Sequence, residues 1–372
     1  MSGPFHKRVS HRSKWSSTMN MPFLPSYNSS LFVNRDEDVQ RIYWKISRFL
    51  KTIPVFPPHT AFHGPRGCGK SWLLLHLNES LPQKFGNQIL LVFSPLDPAD
   101  PYLIENTLRS ACRALDFRLP TGVSLDEISR GLTEHCRWAG RPVVILVDEL
   151  DKLTPEQIRE IDLYYIAPLH RLPNVLFVLG SRVPAPGGYL NDVEFKRRVE
   201  NRELAPFSLS DTEEQIRRLG GDPDIAPDIL EAGGGYPISN TILARGWPTD
   251  PGLALEECAQ ALLEGIPEDL QQYFRALCVP DVIEIDHMPP LLATHFGENP
   301  KNWDTQRCRR ILMDMVRTYL VRWRKWTSGY GYVMDPAVRQ VLRSALQRNN
   351  PALWEKLLAC IQQVHCGRLV AQ

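Results

Sequence analysis

Gly64-Pro65-Arg66-Gly67-Cys68-Gly69-Lys70-Ser71 fits the pattern G-x-x-x-x-G-K-[ST] at every specified position. It follows a short β-prone run, His59–His63, and opens a stretch of helical character, Lys70–Leu77, so the loop joins a strand to a helix. Glycines let the main chain turn tightly enough for successive N–H groups to face one phosphate, and the helix that follows adds the positive end of its dipole. Lys70 would neutralise β- and γ-phosphate oxygens, and the Ser71 hydroxyl would ligate Mg²⁺. The expected nucleotide-binding set is therefore Gly64, Pro65, Arg66, Gly67, Cys68, Gly69, Lys70 and Ser71.

Further along, Val143-Val-Ile-Leu-Val-Asp148-Glu149 is an apolar run ending in two carboxylates. At the tip of a buried strand beside the loop, Asp148 would hold the magnesium through its water or through Ser71, and Glu149 would polarise the attacking water as general base. Asp151 reads either as a third carboxylate on the metal side or as the cap of the helix starting at Thr154. Val175-Leu-Phe-Val-Leu-Gly180-Ser181-Arg182 is another apolar run with a polar end. If this strand lies between the loop strand and the acidic strand, its end falls beside the γ-phosphate, where Ser181 or Arg182 would report on it. The catalytic set expected from the sequence is Lys70, Glu149 and Arg182, and the metal set is Ser71 and Asp148.

Around these landmarks strands and helices alternate. Val39, Ile42, Tyr43, Ile46, Phe49 and Leu50 fall at helical spacing in Asp36–Lys51, and helices are expected near Pro101–Asp116, Ser124–Trp138 and Thr154–Leu172. Strands are expected at Gln88–Ser94, Pro142–Val147 and Asn174–Leu179, with Asn201–Phe207 as a candidate fifth. This alternation requires crossover connections and a parallel sheet covered by helices on both faces. Beyond Pro184-Ala-Pro-Gly-Gly the pieces shorten and become mostly helical, and Trp247-Pro-Thr-Asp-Pro-Gly punctuates the chain again. From about residue 254 helices dominate, with a β-prone excursion at Tyr330–Met334 and a closing helix at Leu353–Val364. The expected fold class is α/β: a parallel sheet with flanking helices (31–190), a small helical lid (191–253) and a winged-helix-like helical domain (254–372), preceded by a flexible basic arm (1–30).

Composition supports several units. A chain of 372 residues exceeds what one core usually organises. With 43% hydrophobic and 23% charged residues, collagen-like, coiled-coil and wholly disordered classes are excluded. No apolar run approaches the roughly 20 residues of a membrane helix, so a soluble, cytoplasmic protein without a membrane partner is expected. The net charge of +1 conceals an acidic stretch over residues 211–290 and a basic one over residues 301–350, which suggests modules that face different partners or each other. Eight cysteines with no Cys-x-x-Cys pair point to buried thiols in a reducing compartment rather than to zinc. Residues 1–30 hold Lys7, Arg8, Arg12 and Lys14 and no acid; they carry no secretory signal, and a transit peptide is the alternative to a mobile arm.

In order along the chain, these motifs resemble the AAA+/STAND branch of P-loop ATPases, to which archaeal-type ATPases and replication initiators are close relatives. Phe32-Val33-Asn34-Arg35-Asp36-Glu37 resembles the N-terminal box that contacts the adenine side of the nucleotide, with Asn34 at the usual glycine. Gly180-Ser181-Arg182 is similar to the family's sensor strand. Leu204-Ala-Pro206-Phe207-Ser-Leu-Ser resembles the segment leading into the lid, and Gly235-Tyr236-Pro237 the Gly-x-Pro turn whose proline approaches the nucleotide. Tyr332-Val-Met-Asp-Pro-Ala-Val-Arg339 is similar to the end of the family's winged helix, with Asp335 where a histidine is common. The likeness covers about residues 31–345. It implies that ATP and Mg²⁺ are bound and that Arg35 and Pro237 join the nucleotide site. No residue matches an arginine finger, and Ile238 and Ser239 stand where many relatives carry a lid arginine. The implied function is slow Mg-dependent ATP hydrolysis in a nucleotide-controlled switch, with self-association and an unidentified protein partner. The alternatives are a DNA-binding initiator or transposition-type ATPase, and a nucleotide-binding scaffold with negligible turnover.

Two further features carry open readings. Cys68 is either a small buried side chain or an accessible thiol near a helix N-terminus. Arg317, Arg322, Arg324, Lys325, Arg339 and Arg343, interleaved with Tyr319, Trp323 and Trp326, form either a nucleic-acid face or the solvated surface and core of the C-terminal domain.

Overall fold

The computed structural model describes residues 26–119, 122–184, 193–326 and 329–371. The proposed arm therefore lies outside the described residues apart from 26–30, as does the expected domain boundary at 190. The strands are β1 (His59–His63), β2 (Leu90–Pro95), β3 (Val143–Asp148), β4 (Val175–Ser181) and β5 (Val199–Glu203). All pair in parallel, in the order β2-β3-β4-β1-β5. β4 thus lies between the loop strand β1 and the acidic strand β3. With Val147 opposite Leu179 and His63 opposite Ser181, the phosphate loop, Asp148 and Arg182 leave the sheet from one edge. The fifth strand is displaced from the expected Asn201–Phe207. Leu204 N–H still donates to the His63 carbonyl at 2.8 Å, but Pro206 has no N–H with which to continue the ladder.

Strand alternation divides the core into two layers. Val144 and Leu146 face Phe62, Val178 and the helices α1 (Asp36–Leu50) and α2 (Lys70–Phe85). Val143, Ile145 and Val147 face Phe177 and Leu179 under α3 (Leu103–Ala114), α4 (Leu125–Trp138) and α5 (Pro155–Ile161). The apolar runs are continuous because both faces of the sheet are covered. The single helix expected over Thr154–Leu172 is interrupted: α5 passes through a π turn, Asp162–Ile166, into the short α6 (Ala167–Leu169). Pro168 cannot donate to Tyr164, and Ala167 N–H reaches back to the Asp162 carbonyl instead.

After α7 (Val193–Arg197) and β5 come α8 (Leu209–Arg218), α9 (Ala226–Gly233), α10 (Pro237–Gly246), α11 (Pro251–Leu262), α12 (Glu268–Leu277), α13 (Met288–Phe296) and α14 (Thr305–Arg317). An antiparallel hairpin, β6 (Val321–Trp326) with β7 (Gly329–Met334), is followed by α15 (Pro336–Asn349) and α16 (Pro351–Ala371). One continuous core runs from Ile216 to Leu357. It crosses the division expected at 253, because α11 packs on both α10 and α15. Among the described residues no helix is long and apolar enough to cross a membrane.

Candidate nucleotide site

The loop between β1 and α2 turns through Gly67 (φ 81°) and Gly69 (φ 95°), conformations that side chains with a Cβ resist. Gly67 also lacks room: a Cβ there would lie 1.9 Å from Ile238 Cγ2. Lys70 Nζ donates to the carbonyls of Gly64 and Pro65, both at 2.9 Å. Cys68 is fully buried, so the accessible-thiol reading is excluded. Its Sγ packs against Gly64, where a Cβ would come within 2.9 Å of it.

Asp148 is buried at the tip of β3. Burial raises its carboxyl pKa, and a hydrogen bond with Ser71 opposes that shift. One carboxylate oxygen accepts from Glu149 N–H at 2.9 Å. The neighbouring strand makes room for it at Gly180, where a Cβ would meet Asp148 Oδ1 at 2.7 Å. Glu149 itself turns at φ 67°, and its carboxylate is paired with Lys152.

At the end of β4 the two candidate sensor residues separate. Ser181 is buried and donates its hydroxyl to the Val183 carbonyl, so it faces away from the cavity. Arg182 lines the cavity; its Nη1 donates to the Thr318 carbonyl at 3.1 Å.

The two residues added by resemblance sit against the loop. Asn34 (φ 58°) and Arg35 (φ 77°) are both left-handed. Asparagine adopts such angles more readily than most residues. Arg35 Nη2 donates to the carbonyls of Cys68 (3.0 Å) and Ala205 (2.8 Å), and the guanidinium stands 5.1 Å from the Phe207 ring centroid. Arg35 thereby fastens the phosphate loop to the segment leading into α8. Pro237 opens α10, with its Cγ 3.7 Å from the place a Gly69 Cβ would take, while Ile238 N–H donates to the Gly67 carbonyl at 3.3 Å.

These groups surround one cavity of about 1610 Å³, ample for a nucleoside triphosphate. Sequence reasoning missed part of its wall. Glu264–Pro267 and Arg317–Tyr319 complete it from the C-terminal half, and Arg66 pairs with Glu264 at 2.8 Å. No local pattern signals these residues, because only tertiary packing brings them to the loop. The residue set fits a nucleotide with Mg²⁺: the cation would rest on Ser71, Asp148 and phosphate oxygens, as Mg²⁺ commonly does. Among the described residues no cluster of three His, Cys, Asp or Glu side chains offers a protein-only metal site.

The basic and aromatic residues of the C-terminal region do not form one face. Arg339 and Arg343 turn onto Asp281, and Arg322 donates to the Arg182 carbonyl at 3.1 Å. Trp323 remains 58% exposed. The side chains of Lys325 and Trp326 lie outside the described residues.

A parallel sheet with β4 inserted between the loop strand and the acidic strand, and a G-x-x-x-x-G-K-S loop at its edge, defines a P-loop nucleotide-binding domain. Residues 57–180 match the family described as AAA domain. No curated protein matches the sequence. Solved structures with a similar course include the Aeropyrum pernix ORC2 protein in ADPNP–ADP complexes, at 12% identity and TM-score 0.52, covering 93% of this chain and 98% of that one. Two others are the Pyrobaculum aerophilum Cdc6p (16% identity, TM-score 0.47, 92% and 97% covered) and the Aeropyrum pernix ORC1 protein in complex with DNA (16%, 0.49, 88% and 96%). At these identities the likeness is one of fold. The chain thus carries a segment similar to an AAA domain, and its course is similar in fold to that of the Aeropyrum pernix ORC2 protein.

Proposed function

We propose that this chain binds ATP with Mg²⁺ and hydrolyses it slowly, acting as a nucleotide-controlled conformational switch. One observation carries the reading: the P-loop, Asp148, Arg182, the start of α10 and the Arg317–Tyr319 turn all border a single cavity, so a ligand there would touch both the sheet domain and the C-terminal half. When Mg²⁺ is bound it supplies charge neutralisation between the β- and γ-phosphates. Lys70 would leave the Gly64 and Pro65 carbonyls for phosphate oxygens, Asp148 and Ser71 would hold the cation, and Glu149 would orient and deprotonate the attacking water once released from Lys152. Slow turnover fits a Glu149 engaged with Lys152 and a lid that presents Ile238 to the loop. The test is calorimetry and turnover on purified protein. Lys70→Ala should lower ATP affinity at least tenfold, and Glu149→Gln should retain binding while losing turnover; wild-type protein that takes up no ATP sinks the proposal.

A second reading, nucleic-acid binding by the C-terminal region, is favoured by exposed Trp323 and by exposed Arg309 and Arg310 on α14. Binding that weakens steeply with salt would support it. Failure to bind either single- or double-stranded DNA at low salt would end it.

A further inference from the structure

Thr212 and Gln215 stand three positions apart on α8 and so share a face, which meets Asn240 and Thr241 of α10. Two main-chain carbonyls, which can only accept, fix the direction of every hydrogen bond among these side chains. The Thr212 hydroxyl donates to the Ser208 carbonyl at 2.9 Å, so its oxygen accepts from Asn240 Nδ2 at 3.3 Å. The other Asn240 Nδ2 hydrogen goes to Gln215 Oε1 at 3.0 Å. At the Pro237 carbonyl the Thr241 hydroxyl donates at 2.8 Å and Gln215 Nε2 at 2.9 Å, and the second Nε2 hydrogen goes to Thr241 Oγ1 at 3.1 Å. All the donor hydrogens of the four side chains are thereby used. Lone pairs remain on Gln215 Oε1 and Thr241 Oγ1, and among the described residues Asn240 Oδ1 has no partner. The network is short of donors rather than acceptors.

Gln215 and Thr241 are buried and both border the nucleotide cavity. Thr241 lies one helical turn beyond Pro237, whose ring abuts the phosphate loop at Gly69, so the pair stands a turn away from the phosphate end. The cavity wall also takes Leu31, Val33 and Phe207, and Arg218 of α8 holds the Ser30 and Phe32 carbonyls at 3.3 and 2.6 Å, which keeps that N-terminal segment against α8. Apolar flanks with a few placed acceptors suit a planar base whose edge donates. Resting on the ATP-binding reading above, we infer that Gln215 and Thr241 determine base specificity. Their acceptors receive the exocyclic amino group of adenine. A base with a carbonyl at that position is rejected, because its lone pairs would face theirs with no hydrogen between.

The test is calorimetry on the full chain carrying Glu149→Gln, with ATP, inosine triphosphate and purine riboside triphosphate, each with Mg²⁺. The second ligand has a carbonyl in place of the amino group and the third has only hydrogen. Both should bind about fivefold or more weaker than ATP, the loss expected when a hydrogen bond goes unmade and its acceptor is left short of a donor. Thr241→Val keeps the shape and removes the hydroxyl; it should bring the ratio of ATP to inosine triphosphate affinity at least about threefold nearer to one, while Thr241→Ser keeps the parent ratio. Gln215→Met should lower the ratio as well. A mere loosening of the lid would weaken all three ligands together, so the ratio separates base reading from structural support. Equal affinity for the three triphosphates, or an unchanged ratio in folded Thr241→Val, overturns this inference and leaves the ATP-binding reading standing. Absence of binding by every triphosphate overturns both. The ligand series in the parent chain does not depend on any lid variant folding.

Discussion

His59 begins the strand that leads into the phosphate loop, and its ring does backbone work. Nδ1 accepts from Phe177 N–H and Nε2 donates to the His170 carbonyl, both at 3.1 Å, so one tautomer is required. Burial, assisted by nearby Arg198, pushes its pKa down to about 3. An unfolded imidazole titrates near 6.5. Between those values the unfolded chain binds a proton that the folded chain refuses, so stability falls as pH drops from about 6.5 toward 3, by an amount on the order of a few kcal/mol. Urea unfolding at pH 7 and pH 5 should show the loss, and the His59 ring resonance should stay neutral at pH 5 in folded protein. A second residue-scale prediction concerns Gly180. In Gly180→Ala the new Cβ would meet Asp148 Oδ1 at 2.7 Å and Leu74 Cδ1 at 3.1 Å. A cost of about 1–3 kcal/mol is expected, with Mg²⁺-dependent ATP affinity reduced more than Mg²⁺-free affinity; calorimetry with and without the cation separates the two.

Elements meet where one supplies what another lacks. The π turn after α5 leaves the Tyr164 carbonyl facing Pro168, which has no N–H, and the Ser129 hydroxyl of α4 donates to that carbonyl at 2.6 Å. Ser129→Ala should destabilise the nucleotide domain by about 1 kcal/mol, read from denaturant midpoints, and should leave ATP affinity unchanged because the turn borders no part of the cavity. Helix α1 is fastened to the sheet in a comparable way: the buried Lys45 ammonium donates to the His59 carbonyl and Thr60 hydroxyl and pairs with Glu200 at 2.8 Å. Its neighbours were legible as a helix from apolar spacing. The buried cation was not, because a lysine at helical position 45 reads as a surface residue until β5 brings Glu200 beneath it.

At the scale of the molecule, the sheet has a core on each face, the one under α1 and α2 also taking in Tyr236 and Ala337, while most of the region from α8 onward shares one core up to Leu357. Residues 208–371 should therefore unfold as one cooperative unit rather than as separate lid and C-terminal pieces. The cavity takes walls from both halves, so saturating nucleotide should raise both transitions. A ligand at 100 times its dissociation constant adds about 2.7 kcal/mol to a state that alone binds it. Differential scanning calorimetry with and without ATP–Mg checks this: a shift confined to one transition would show that only one half contacts the ligand.

What the sequence by itself determined is the α/β class, the position of the phosphate loop and the paired strand ends at Asp148 and Arg182, because local pattern is enough for them. A glycine-rich turn, a five-residue apolar run and a helical period are each written within a few consecutive residues. Only the tertiary structure decided that Ser181 turns away while Arg182 reaches the C-terminal turn, that Arg35 grips the Cys68 carbonyl of the loop, that Arg339 and Arg343 are spent on Asp281, and that Glu264 and Thr318 help enclose the site. Most of those outcomes depend on which distant segments meet, and pairing between residues some thirty to well over a hundred positions apart is set by the packing of whole faces rather than by spacing along the chain.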